Sequence, residues 1–269
     1  MTLKGHLNDV ATVQFFPSNL VVLTGGSDFL LKIWSVLDGS NPVTLQGHTS
    51  ASSRDGTVKL WNCGTSSTIA TLGNYEFAIN KMILLTSLPS QYEPAEKTTL
   101  DPMEVGTEDK LVLVALDDGS IRGLHLGTKK EVFATPTSDD PLTSMAYEPE
   151  TETLFAGSKN GLVQLFSLQK GLDQPQLKWK RNGYAITSLA VKTNENGEKV
   201  LCVSSADGSA YQTGPLADFV AAFAGVAVEA ELSGSELETV YDMKIMPREN
   251  ESDCQRIACA VRDGKIKIY

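Results

Sequence analysis

Apolar and polar residues alternate along this chain in short bursts, and the bursts come in pairs around one recurring signal. An apolar run leads to an Asp or Asn, usually followed by Gly, and then to a second alternating run that often ends in an aromatic residue. The copies span Asp28 to Trp34, Asp55 to Trp61, Asp118 to Leu124, Asn160 to Phe166, Asp207 to Thr213 and Asp263 to Tyr269. The leading runs are Val21 to Leu23, Leu111 to Leu116, Leu154 to Ala156, Val200 to Val203 and Ile257 to Ala260, and the second copy has none. Alternation with period two predicts strands. Asp-Gly between two such strands predicts a tight hairpin whose central residues both tolerate positive φ.

Successive turn residues are spaced 27, 63, 42, 47 and 56 positions apart. A four-stranded propeller blade occupies roughly 40–45 residues, so the third and fourth spacings match directly. The 63-residue spacing contains Thr86 to Asp109, an aperiodic stretch with Pro89, Pro94 and Pro102 that points to a long, disordered loop, and the 56-residue spacing contains an insertion near Pro215 to Gly225. The expected fold is an all-β propeller forming one domain over residues 1–269, with six units. The second is incomplete, because His48 and Asp55 are too close in sequence to hold two strands and a turn. The last unit ends on its third strand, and only Met1 to Lys4 are placed to pair back as a fourth.

Charge narrows the functional classes. Thirty-three acids against 23 Lys and Arg give a net charge of −10 and a pI near 4.8. Such a surface repels phosphate backbones, which excludes general nucleic-acid binding and favours a basic protein partner. Phe219 to Val228 is too short to cross a bilayer, so no membrane association is expected. The cysteines, Cys63, Cys202, Cys254 and Cys259, follow no zinc or redox spacing and fit a reduced compartment, cytoplasmic or nuclear. The chain is expected to act as a monomer.

Leu3-Lys4-Gly5-His6 and Leu45-Gln46-Gly47-His48, together with Ile33-Trp34 and Leu60-Trp61, resemble WD40 repeats. That resemblance implies a structural hydrogen-bonded set in each unit: His6, Thr24, Asp28 and Trp34 in the first, and His48, Asp55 and Trp61 in the second. Further segments, Phe15-Phe16-Pro17, Ser53-Arg54-Asp55-Gly56, Glu104 to Glu108, Val240-Tyr241 and Arg262-Asp263-Gly264, resemble the proteasomal ATPase-associated factor family. This implies part of a seven-bladed ring and a chaperone that binds ATPase subunits of the proteasome regulatory particle and assists assembly of its 19S base. A generic WD40 scaffold, such as an adaptor in a ubiquitin ligase, is the alternative.

The Asp-Gly turns share one face of a propeller with the connections between blades. Asp117, Asp139, Asp140, Glu236 and Glu238 fall on that face and would form an acidic rim for a basic partner, with Tyr184 as an aromatic anchor. Asp118 reads instead as a cap of its own hairpin, and Arg54 and Arg262 as ties to neighbouring blades. His125 stands in an alternating strand with no partner signal. No Gly-rich phosphate loop, metal-binding His pair or nucleophile elbow is present, so neither catalysis, a metal nor a cofactor is expected.

Overall fold

The computed structural model describes residues 2–48, 55–86, 88–93, 100–102, 104–220, 226–232, 238–246 and 255–269. Glu236, Arg54 and Cys254 lie outside these. Five of the six repeat signals, all but that at Asp55, form hairpins among the described residues, but not the two-residue turn the sequence suggests. The N–H groups of Gly119, Gly161, Gly208 and Gly264 bond the carbonyl three residues back at 3.1–3.3 Å. Only the glycine is left-handed, with φ from +74° to +88°. The Asp or Asn before it keeps negative φ, so the turn is type I followed by a glycine bulge. The Asp has a separate job: Asp28, Asp118, Asp207 and Asp263 accept bonds from the backbone N–H two residues on. In the first unit Phe29 takes the glycine position at φ +65°.

Four units build four-stranded antiparallel blades, each in the order of the chain. Blade I contains β1 (Val10–Phe15), β2 (Val21–Gly26), β3 (Leu30–Ser35) and β4 (Val43–Gln46). A ribbon follows, β5 (Thr57–Asn62) and β6 (Ser67–Asn74). Blade II is β7 (Ile79–Leu85), β8 (Leu111–Leu116), β9 (Ile121–His125) and β10 (Lys130–Ala134). Blade III is β11 (Leu142–Glu148), β12 (Thr153–Ser158), β13 (Leu162–Ser167) and β14 (Leu177–Lys180). Blade IV comprises β15 (Ile186–Thr193), β16 (Lys199–Ser205), β17 (Ala210–Pro215) and β18 (Val228–Glu231). Blade V has three strands, β19 (Val240–Ile245), β20 (Ile257–Val261) and β21 (Ile266–Ile268). The structure therefore has five blades, not the six units or seven-bladed ring expected. The second unit contributes only the two strands of its ribbon, and residues 2–4 form no strand beside β21.

Every inner strand carries a bulge near its start, at Val10/Thr12, Ile79/Lys81, Leu142/Ser144, Ile186/Ser188 and Val240/Asp242. A bulge adds local twist. Polar side chains at these bulges link blades II to V: Asn80 Nδ2 donates to the Leu142 carbonyl at 2.8 Å, Thr143 Oγ1 to the Ile186 carbonyl, and Ser188 Oγ to Asp242 at 2.8 Å. Apolar clusters fill the spaces between these blades, among them Leu113, Leu142 and Leu154 between II and III. Phe155, Ile186 and Leu201 lie between III and IV, and Cys202, Val240 and Met243 between IV and V.

Blade I lies outside this chain of bonds, with every residue of β1 exposed. The ribbon packs Val58 and Leu72 against Val114, Leu116 and Leu124 in the two middle strands of blade II. On that same face Met82 and Leu84 of β7 remain 44% and 52% exposed, because among the described residues no inner strand of the second unit covers them.

Two sequence insertions are better anchored than their composition suggests. Residues 216–220 form a short 3-10 helix that inserts Phe219 edge-on to Phe155 and Trp179. In the stretch expected to be disordered, Leu88 and Tyr92 pack on the blade II–III core, Gln91 bonds the Leu168 carbonyl, and Glu104 is buried.

Candidate functional site

One set of polar groups ties the amino-terminal segment to blade I. His6 Nδ1 lies 2.9 Å from Asp28 Oδ2, and its Nε2 lies 2.7 Å from Thr24 Oγ1. Thr24 Oγ1 also accepts the Trp34 Nε1–H at 2.7 Å. One proton arrangement satisfies all of these: Nδ1–H donates to the carboxylate, and the hydroxyl donates to Nε2 while accepting from the indole. Burial would push the Asp28 carboxyl up, but the Leu7 N–H, His6 and the Leu30 N–H outweigh it and hold it below its ordinary value. The set is buried, with the His6 and Asp28 side chains only 6% and 4% exposed.

The second unit repeats half of this. His48 Nδ1 lies 3.1 Å from Asp55 Oδ2, and Trp61 stands 6.4 Å from the His48 ring, close to the 6.3 Å between His6 and Trp34. The role of Thr24 has no counterpart among the described residues, because that hydroxyl comes from a second strand and the ribbon has none. Thr57 Oγ1 instead contacts His48 Nδ1 at 3.2 Å and Asp55 at 2.9 Å.

The Asp-Gly turns and the connections into the next inner strand meet at one end of the blades, here the upper end. Ser138 N–H donates to the Asp118 carbonyl, Lys159 to Pro141, Ala206 to Ala185 and Arg262 to Thr239, at 2.8–2.9 Å. Here the structure gathers Asp117, Asp139, Tyr184 and Glu238, all exposed. They are not equivalent. Asp117 accepts a bond from Asn80 Nδ2 at 3.1 Å, and Tyr184 is 57% exposed. Asp140 differs from its neighbour: its carboxylate accepts from Ser158 Oγ and from the Asn160 N–H, so it fastens the blade III turn. Asp118 caps its hairpin through the Ser120 N–H and hydroxyl. His125, at 0% exposure, accepts the Thr128 N–H through Nδ1, and burial lowers its pKa.

The model for the WD domain, G-beta repeat, matches residues 1–35, the segment that holds His6, Thr24, Asp28 and Trp34. Residues 1–35 therefore carry a WD40 repeat, within a β-propeller of five blades. Among curated proteins, this chain is 28% identical over 186 residues to the 26S proteasome regulatory subunit RPN14 of Saccharomyces cerevisiae, covering 62% of this chain and 45% of that protein. It is 23% identical over 205 residues to the human serine-threonine kinase receptor-associated protein, covering 64% and 58%. It is 22% identical over 200 residues to the eukaryotic translation initiation factor 3 subunit I of Taeniopygia guttata, covering 65% and 55%. The chain thus spans about half the length of the curated relatives it matches. The crystal structure of the computationally designed Ika8 protein shares the fold, with a TM-score of 0.68 and 18% identity over 99% of this chain and 72% of that one.

The sequence did not signal the lower end of the blades. There, the cleft between the ribbon and the segment around Glu104 depends on tertiary contacts between residues about forty positions apart, which no local pattern shows.

Proposed function

We propose that this WD40 chain is a non-enzymatic protein-binding module that holds a proteasomal ATPase subunit while the 19S base assembles. The similarity to RPN14, whose name places it in the 26S proteasome, carries the proteasomal part of this reading. The exposed acids of the upper end support the rest: on a chain of net charge −10, Asp117, Asp139 and Glu238 present carboxylates to a basic surface, beside the exposed ring of Tyr184. Such a rim steers association and selects against acidic partners more than it adds affinity. No cofactor takes part. Action in the cytoplasm or nucleus belongs to the same proposal.

The test is recovery of proteasomal ATPase subunits on the tagged chain, comparing wild type with Asp117→Lys, Asp139→Lys and Glu238→Lys combined, and separately with Tyr184→Ala. Asp140 is left intact because its reversal would unfasten the Ser158–Asn160 turn. Loss of the subunits on charge reversal supports the reading, and equal recovery overturns the rim. A second reading, a general WD40 scaffold such as a ubiquitin-ligase adaptor, draws on the similarities to the kinase receptor-associated protein and the initiation-factor subunit. Recovery of ligase components without ATPase subunits would favour it.

A further inference from the structure

The lower end of the molecule holds a cleft of about 290 Å³ between the ribbon and the segment that precedes β8. Leu60, Trp61 and Ile69 line it from the ribbon, and Glu104, Val105 and Thr107 line it from the other side. Asn62 and Cys63 line it as well, so its walls mix apolar and polar surface, and the one carboxylate among these eight residues is Glu104. That side chain is 1% exposed. Its Oε2 accepts from Thr107 Oγ1 at 2.8 Å and from Lys129 Nζ. Its Oε1 is buried and has no partner among the described residues. Burial would raise this carboxyl, but the bonds from Lys129 and Thr107 outweigh that and hold it low, so Glu104 is a carboxylate.

A buried carboxylate oxygen without a donor is costly, and a ligand that brings a donor into the cleft removes that cost. The volume sits at the bottom of the range for whole small-molecule ligands and suits one side chain. Lys129 already occupies Oε2, so an incoming cation shares the carboxylate with another cation. A guanidinium, with its charge spread over a plane and five donors along its edge, suits that position better than an ammonium, and its face can lie on the Trp61 indole. We propose that this cleft is a docking pocket for a single arginine side chain of a protein partner, with Glu104 Oε1 accepting from the guanidinium and Trp61 providing its apolar wall. The pocket lies at the end opposite the acidic rim, between the β5–β6 turn and the β9–β10 turn. It stands or falls independently of the rim.

The chain has three tryptophans, Trp34, Trp61 and Trp179, so its 1H–15N spectrum carries three indole signals. The probe is N-acetyl-arginine N-methylamide, titrated into the full chain, with the Trp61 signal assigned from Trp61→Phe. The proposal expects a saturable shift of Trp61 alone, because the Trp34 and Trp179 indoles are bonded to Thr24 and Tyr211. The norleucine analogue should leave Trp61 in place, and the lysine analogue should bind more weakly. Glu104→Gln should weaken the arginine probe by about tenfold or more, the loss of one charged hydrogen bond. Val105, 91% exposed, offers a variant that spares the fold. Val105→Arg brings its own guanidinium, so it should abolish the response to added probe while leaving the Trp34 and Trp179 signals unmoved. An immobile Trp61, an equal response to norleucine, an equal or tighter response to lysine, or unchanged binding by both variants would each overturn the assignment.

Discussion

Thr24 is the hinge of the blade I hydrogen-bond set, and Thr24→Val removes its hydroxyl while keeping its shape. Two bonds are lost, to His6 Nε2 and from Trp34 Nε1, each 2.7 Å long, at a site only 7% exposed. An ordinary buried bond contributes about 1 kcal/mol net, and a stranded partner costs about 1–3 kcal/mol. The indole N–H is stranded outright, whereas His6 Nε2 merely loses a donor, so the expected loss is about 2–4 kcal/mol. Blade I is not tied into the bonded arc of blades II to V, so this loss should be local. Hydrogen exchange followed by mass spectrometry reads it directly: peptides covering β2 and β3 should exchange tens to hundreds of times faster, at about tenfold per 1.4 kcal/mol. Those from blades III and IV should keep their rates. Thr24→Ser keeps the hydroxyl and should lose about 1 kcal/mol or less. If Thr24→Val and Thr24→Ser exchange alike, the hydroxyl does not hold the set together and the reasoning fails.

Other outcomes follow from the same structure. Phe29 occupies a left-handed turn position at φ +65°, so Phe29→Gly should stabilise blade I by about 0.5–1 kcal/mol in denaturant titrations, in contrast to the usual cost of glycine. Asp28 has a depressed pKa in the folded chain, so the stability it contributes is present above the unfolded value near 3.8 and is lost as pH falls below it; Asp28→Asn should flatten this acid limb of the blade I exchange profile. Cys202 and Cys259, at 0% and 1% exposure and with burial pushing their thiols to about 12 and about 11, should resist alkylation in the native state, while exposed Cys63 reacts, as peptide mass spectrometry would show. Met82→Gln with Leu84→Thr should lower aggregation measured by light scattering and change stability by less than about 1 kcal/mol, because both side chains are about half exposed.

The strands and turns were legible because both are local. The apolar runs at Leu111 to Leu116 and Val200 to Val203 became β8 and the centre of β16, and the turn Asp after each run marks where its carboxylate is needed two residues on. His6 and Asp28 could be paired in advance because the resemblance to WD40 repeats places them in one hydrogen-bonded set. What sequence did not reveal is which surface covers which. Asp139 and Asp140 are chemically alike and adjacent, yet one is exposed and the other fastens a turn, and the difference comes from Ser158 and Asn160 further along the chain. Phe219 lies in a weakly polar insertion whose periodicity says nothing, and its burial depends on Phe155 and Trp179. The number of blades failed for a related reason. A turn signal announces the outer half of a unit, and at Asp55 that half exists as a ribbon resting on its neighbour.

The acidic rim is tested most directly by titrating purified proteasomal ATPase subunits, one at a time, against this chain by isothermal calorimetry at two salt concentrations. The account predicts that at least one subunit binds, that its affinity falls as salt rises, and that the combined Asp117→Lys, Asp139→Lys and Glu238→Lys chain, with its thermal melting unchanged, binds it at least about tenfold more weakly. Binding indifferent to salt and to all three reversals, or no binding of any subunit by the wild-type chain, would contradict it.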